Sequence, residues 1–132
     1  MQKYDFQILL GDTFERLRQL TATKGEEYTQ SPDQLMNFKR YAAQAQISTE
    51  QAWLVLYTKH HDSIMAYIRN YNGVTVALSE PIESRIDDAI LYLILLKAME
   101  RERSYSNSTL SGRMAPDPNE IWRPKPGDVN YT

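Results

Sequence analysis

Residues 89–96 read AILYLILL, and this run constrains the fold more than any other part of the chain. It lies in a segment, residues 81–103, where apolar residues recur at intervals of three and four, the spacing of one face of an α-helix. Within the run, apolar side chains cover nearly the whole circumference of that helix. A helix that is apolar on every side is buried on every side, by its own domain or by a partner subunit. We therefore expect a central core helix and a homo-oligomer, a dimer or a larger symmetric assembly, that buries it between subunits.

Three earlier segments carry the pattern of a capping box, in which the first side chain caps a backbone N–H and the fourth reaches back. These segments are residues 12–15 (DTFE), 31–34 (SPDQ) and 48–51 (STEQ). Each box marks the start of a helix, so the sequence predicts an all-α fold, a compact bundle of about four helices. Residues 4–10, before the first box, fit either a short strand or a helical lead-in. The predicted helices are residues 12–25, 31–46, 48–70 and 81–103.

Apolar residues at helical spacing define the expected core. On the first two helices they are Phe14, Leu17, Leu20, Leu35, Phe38, Ala42 and Ala45. On the last two they are Trp53, Leu56, Ile64, Tyr67, Ile82, Ile86, Ala89, Leu93 and Leu96. Residues 69–78 contain Asn72-Gly73, a strong turn signal, and are predicted to be a loop.

The composition changes at residue 104 to a segment rich in proline and serine, without a helix or strand period. We expect a helical domain over residues 1–103 and an irregular tail over residues 104–132. The tail is predicted to be mobile, or to dock on the domain or a partner subunit through the apolar pair Ile121-Trp122.

Composition excludes several classes of function. The chain has no cysteine, so disulfides, thiolate nucleophiles and cysteine-rich zinc sites are ruled out. A net charge of -2 gives no electrostatic reason to bind bulk nucleic acid or an anionic membrane. The first residues lack the pattern of a signal peptide, and the longest apolar run is too short to span a bilayer. We expect a cytoplasmic protein.

Charged residues at the start of the fourth helix form two faces. Glu80, Glu83 and Asp87 share one face, where they either interact with the helix dipole or supply the carboxylates that Mg²⁺ prefers. Arg85 lies on a second face with Asp88 and Tyr92. There, either Arg85 and Asp88 form an intrahelical pair, or Asp88 orients the guanidinium toward a phosphate or carboxylate.

The third helix carries the polar sequence KHHDS at residues 59–63. Lys59 is a candidate anion ligand. His60 is in line with the apolar stripe, so it either bonds to a neighbouring carboxylate or acts as a donor to phosphate or a general acid. His60 and His61 point about 100° apart on a helix, which argues against a shared zinc ion.

Four of these segments occur together in a known family. KGEEY (24–28), NFKRYAA (37–43), KHHDSI (59–64) and ESRIDDAILYLILL (83–96) resemble motifs of the nucleotide-modification-associated domain 1 family of small phage and prophage proteins. The resemblance covers residues 10–103 and implies a viral helical domain associated with nucleotide metabolism or with nucleotide-based conflict with the host. It implies no catalytic residue. The matching positions include Lys24, Glu27, Tyr28, Asn37, Lys39, Lys59, His60, Ser63, Glu83, Asp87 and Tyr92.

Three hypotheses about function follow. The first is a phage-type protein that binds and sequesters a nucleotide or a nucleotide-derived signal. Its candidate ligand-binding residues are Lys24, Tyr28, Asn37, Lys39, Lys59, His60, Ser63, Arg85 and Tyr92. The second is a Mg²⁺-dependent nucleoside triphosphate pyrophosphohydrolase similar to the all-helical MazG type, with Glu83 and Asp87 as metal ligands, joined by Glu26 or Glu27. The third is a structural or interaction protein. The catalytic residues stay unknown.

Overall fold

The computed structural model describes residues 1–28, 31–72 and 80–110, with side chains described for residues 1–23, 31–72 and 80–108. These parts of the chain form four α-helices: α1 (Lys3–Tyr28), α2 (Met36–Ala45), α3 (Thr49–Asn70) and α4 (Ile82–Leu110). The predicted all-α class and the number of helices are confirmed. The chain divides into two compact units, residues 1–99 and residues 100–132. Residues 73–78 of the predicted loop, and the tail from residue 111, lie outside the described residues.

Helix α1 is longer than the sequence pattern predicts. It begins at Lys3, so the predicted start at Asp12 is wrong and residues 4–10 are helical. Thr13, the second residue of the predicted box, donates its hydroxyl to the carbonyl of Leu9 at 2.7 Å, as a residue inside a helix does. The helix also continues past Gly25 to Tyr28. Inside a helix the backbone N–H groups already have carbonyl acceptors in the preceding turn and need no capping side chain. The capping-box pattern at residues 12–15 therefore does not mark the start of a helix.

The start of α2 is set by Asp33 rather than by Ser31. The Asp33 carboxylate accepts a hydrogen bond from the Leu35 amide at 2.9 Å and one from the Lys39 ammonium at 2.7 Å. Ser31 instead accepts from the Asp33 amide, within a turn. The predicted start at residue 31 is therefore wrong, and α2 begins at Met36. It ends before Gln46, whose φ of 55° places it in the left-handed region.

The capping box of α3 is confirmed in full. The Ser48 hydroxyl accepts from the Gln51 amide at 3.1 Å, and the Gln51 side chain accepts from the Ser48 amide at 2.9 Å. The helix ends at Asn70, as predicted.

Helix α4 continues through the serine-rich segment to Leu110, beyond the predicted end at residue 103. Three serine hydroxyls donate to carbonyls four residues earlier, and these contacts satisfy the polar side chains within a helix. The pairs are Ser104 with Glu100, Ser106 with Glu102, and Ser108 with Ser104. In the second unit Arg103 also donates to the carboxylate of Glu100.

The core of the first unit lies between α2, α3 and α4. Its buried centre consists of Leu35, Phe38, Trp53 and Met99. Packed against this centre are Leu56, Tyr57, Tyr92, Leu95 and Leu96. Leu17, Ala42 and Ala89 are buried as predicted.

Some residues of the predicted stripes are exposed instead. They are Phe14, Ala45, Ile86 and Leu93. Helix α4 turns one face to the core, and that face does not include Ile86, Leu93 or Ile94. The described part of the chain therefore does not cover α4 on every side. Within the described residues, no helix is long and apolar enough to cross a bilayer.

Candidate functional site

Three contacts join the inner faces of α3 and α4. The Trp53 indole donates to the backbone carbonyl of Tyr92 at 2.6 Å. The rings of His60 and Tyr92 lie with their centroids 4.5 Å apart. One turn further along α3, the Arg85 guanidinium donates to the hydroxyl of Ser63. Because later residues of α3 meet earlier residues of α4, the two helices lie antiparallel.

These contacts bring His60 and Ser63 of α3 against Tyr92 and Arg85 of α4, and the carboxylate of Asp88 is close enough to Tyr92 to influence it. We call these five side chains the α3–α4 polar face. All five are half-buried. Spacings of three and four residues place the members from each helix on one side of that helix. The sequence predicts Arg85, Asp88 and Tyr92 as one face of α4, and the structure places His60 and Ser63 of α3 against residues of that face.

Tyr92 lies at the centre of this face. Burial raises the pKa of its phenol, and the nearby negative charge of Asp88 and the phenol of Tyr41 raise that pKa further. Its ring also meets Phe38 edge to face, with centroids 5.9 Å apart. Tyr92 therefore links the polar face to the hydrophobic core.

The raised pKa of Tyr92 predicts a loss of stability at alkaline pH. The folded chain holds the phenol proton more tightly than the unfolded chain, so this contribution is fully present below about pH 10 and lost as the pH rises through the folded pKa. Urea unfolding measured between pH 8 and pH 12 should show a smaller alkaline fall in Tyr92→Phe than in the wild type. Tyr4→Phe, at an exposed tyrosine, is the matched control. If the free energy of unfolding falls equally with pH in the wild type and in Tyr92→Phe, the phenol of Tyr92 is not a source of the alkaline loss of stability.

Aromatic rings continue along the same side of α3. Trp53 and Tyr57 stack with centroids 4.6 Å apart and planes 12° from parallel. The ring centroid of Tyr57 in turn lies 6.0 Å from that of the exposed His61. The polar face thus borders a row of rings.

Two predicted cations lie outside the polar face. Lys39 is held by Asp33 at the start of α2, and this hydrogen bond is the main reason that the pKa of Asp33 lies below its usual value. Lys59 is exposed on α3. Asn37 is half-buried on α2. Lys24 and Tyr28 lie in α1, but their side chains are outside the described residues.

Asp87 has a structural partner. Its carboxylate is buried, with a residue exposure of 7%, and accepts a hydrogen bond from the Arg16 guanidinium of α1 at 3.1 Å. Glu83 is exposed. Among the side chains that the structure describes, no three His, Asp or Glu residues are grouped closely enough to hold a metal ion. Glu26 and Glu27, the other predicted ligands, are not among those side chains.

Sequence reasoning missed three contacts that shape this region. Arg16 pairs with Asp87, Asp33 holds Lys39, and the Trp53 indole binds the backbone of α4. Asp33 lies in a predicted box, and its preference for turns was an available signal. The partner of Asp87 is far away in the sequence and left no local signal.

Comparisons of the chain with protein-family models, curated proteins and solved structures gave no match. The resemblance to the nucleotide-modification-associated domain 1 family therefore stays a prediction.

The arrangement has a definite binding chemistry. A guanidinium presents five N–H donors in a planar fork, a geometry suited to the oxygens of a phosphate. A serine hydroxyl and an imidazole can add donors to the same oxygens, and aromatic faces can stack on a flat base. The polar face contains all of these groups within two helices.

Proposed function

We propose that the chain binds a nucleotide or a nucleotide-derived signalling molecule at the α3–α4 polar face. The observation that supports this proposal best is the meeting of Arg85 with Ser63 beside the His60–Tyr92 ring pair. Arg85 and Ser63 bind the phosphate, His60 donates a further hydrogen bond, and the neighbouring rings contact the base.

In this proposal the protein holds its ligand without consuming it. A phage-encoded protein of this kind acts in the host cytoplasm and sequesters a nucleotide signal of the host. The motif resemblance and the absence of cysteine are consistent with that role. Binding is favoured over Mg²⁺-dependent hydrolysis because the carboxylate of Asp87 is engaged by Arg16.

Calorimetric titration tests the proposal. ATP, AMP and inorganic phosphate are compared with unphosphorylated adenosine, each added to the full chain. We expect the phosphate-bearing compounds to bind and to raise the melting temperature. Arg85→Ala should weaken the binding of the tightest nucleotide by about tenfold or more, because a charge-assisted hydrogen bond is lost.

Arg69→Ala supplies the matched control, since Arg69 is an exposed arginine at the end of α3. It should leave the affinity unchanged. Equal losses in the two variants, or no binding by any phosphate-bearing compound, would contradict the proposal. Release of pyrophosphate from ATP in the presence of Mg²⁺ would replace it with the pyrophosphohydrolase hypothesis.

A further inference from the structure

The side chains of the α3–α4 polar face change in character along α4. Arg85 comes first, Asp88 follows one turn later, and Tyr92 lies one turn beyond Asp88. A rise of about 1.5 Å per residue puts Asp88 about 4.5 Å and Tyr92 about 10.5 Å from Arg85 along the helix axis. The face therefore presents a cation, a carboxylate and an aromatic ring in that order.

Helix α3 runs antiparallel to α4 and supplies matching groups at both ends of this row. The Ser63 hydroxyl accepts a hydrogen bond from Arg85 at one end, and the ring of His60 meets the ring of Tyr92 at the other. The first end offers hydrogen-bond donors to an anion, because the serine hydroxyl keeps its own proton to donate. The second end offers ring faces. Asp88 lies between the two ends.

Asp88 is the member of the face that has no means of binding a phosphate, because an ionised carboxylate only accepts hydrogen bonds. Its side chain is half-buried. Burial and, after it, the negative charge of Asp88 raise the pKa of the Tyr92 phenol, so the carboxylate lies near that ring. A negative charge beside a phosphate site weakens phosphate binding unless the same ligand gives the carboxylate a partner. The position therefore favours a ligand that carries hydrogen-bond donors next to its phosphate.

Ribose hydroxyls match this position. The phosphate, ribose and base of a nucleotide such as AMP follow one another in the same order as Arg85, Asp88 and Tyr92. A phosphate bound by Arg85 thus brings the sugar to the next turn of α4. A carboxylate has about four lone-pair sites, so a bond to a neighbouring cation leaves others for the hydroxyls. Dinucleotide-binding folds use an acidic residue on the ribose in the same chemical role.

We propose that Asp88 accepts hydrogen bonds from the ribose hydroxyls of the bound nucleotide and so selects ribonucleotides over deoxyribonucleotides. A deoxyribose would leave the half-buried carboxylate without these bonds, which is how a site that binds a hydroxyl rejects an analogue lacking it. The assignment rests on the nucleotide binding proposed above and adds an orientation to it. The phosphate lies at Arg85 and Ser63, and the base lies at the His60–Tyr92 ring pair.

Calorimetric titration of the full chain compares AMP with dAMP, which lacks one ribose hydroxyl, and with dideoxy-AMP, which lacks both. We expect dAMP to bind about tenfold more weakly than AMP and dideoxy-AMP to bind more weakly still, because hydrogen bonds to a charged group are lost. ATP and dATP should show the same order. Equal affinities within both series would overturn the role of Asp88 and leave nucleotide binding in place. If no nucleotide binds, the proposed function fails as well.

Asp88→Ala separates recognition of the ribose from an effect on the fold. The variant should bind AMP about tenfold more weakly but should keep or gain affinity for dideoxy-AMP, because a negative charge near the phosphate is removed. Asp88→Asn keeps the shape of the side chain and should change the two affinities in the same directions. Asp62→Ala removes an exposed carboxylate of α3 and should leave both affinities unchanged. Equal losses for AMP and dideoxy-AMP in the two Asp88 variants would overturn the proposal.

Discussion

Replacement of Trp53 by alanine is expected to lower the free energy of unfolding by about 3–5 kcal/mol, the largest loss predicted for any single substitution in this chain. Trp53 is 7% exposed and belongs to the buried centre with Leu35, Phe38 and Met99. Its removal leaves a cavity between three helices. It also removes the hydrogen bond to the Tyr92 carbonyl and the stack on Tyr57. A loss of this size is a large part of the stability of a small domain.

Urea unfolding followed by circular dichroism measures this loss, because the substitution removes one of the two tryptophans and makes fluorescence unsuitable. Leu54→Ala, at the exposed next residue, should change the free energy of unfolding by less than about 0.5 kcal/mol. The loss in free energy of unfolding for Trp53→Phe should lie between those for Trp53→Ala and Leu54→Ala, because phenylalanine keeps an aromatic ring but lacks the indole donor. A loss below about 1 kcal/mol in Trp53→Ala would mean that α2, α3 and α4 do not share this core.

Replacement of Arg16 by alanine is expected to lower the free energy of unfolding by about 1–3 kcal/mol. The change removes the guanidinium that donates a hydrogen bond to Asp87, and the carboxylate of Asp87 stays buried without that bond. The lower end of this range reflects the position of Arg16, whose side chain is 47% exposed and partly screened by water.

Arg18→Ala is the control on the same helix. Arg18 pairs with Glu15 at 3.7 Å, and both side chains are well exposed, so its loss should be within about 0.5 kcal/mol. Adding Asp87→Asn to Arg16→Ala should recover part of the stability, because the buried charge is then absent. If Arg16→Ala and Arg18→Ala destabilise equally, the pair with Asp87 does not hold α1 against α4.

The helices could be predicted wherever local chemistry decides their ends. Both hydrogen bonds of the Ser48–Gln51 box form within four residues, and the structure confirms them. The same pattern at Asp12 failed because α1 had already begun. The pattern at Ser31 failed because Ser31 accepts from the Asp33 amide within a turn, while Asp33 accepts from the Leu35 amide nearer the start of α2. The end of α4 was predicted too early because the prediction relied on the spacing of apolar residues. Hydrogen bonds from serine hydroxyls to backbone carbonyls four residues earlier leave no trace in that spacing.

Residue spacing predicts which side chains of the candidate site share one face of a helix, but not which residues of another helix they contact. Spacing alone placed Arg85, Asp88 and Tyr92 on one side of α4. It could not predict that Ser63 would meet Arg85, since that contact depends on how α3 and α4 pack against each other. Spacing placed Asp87 on one face with Glu80 and Glu83, but its partner in the structure, Arg16, lies on a different helix.

The proposed nucleotide site is tested most directly by finding where a bound nucleotide lies on the chain. Nuclear magnetic resonance of the full protein, labelled in its histidine and arginine side chains, can be followed during titration with ATP. The two histidines are adjacent but face differently, so the exposed His61 serves as an internal control for His60. We predict that the His60 ring and the Arg85 guanidinium signals shift with saturation while His61 changes much less. Saturable shifts confined to other parts of the chain, or no shift at any ATP concentration, would contradict binding at the α3–α4 polar face.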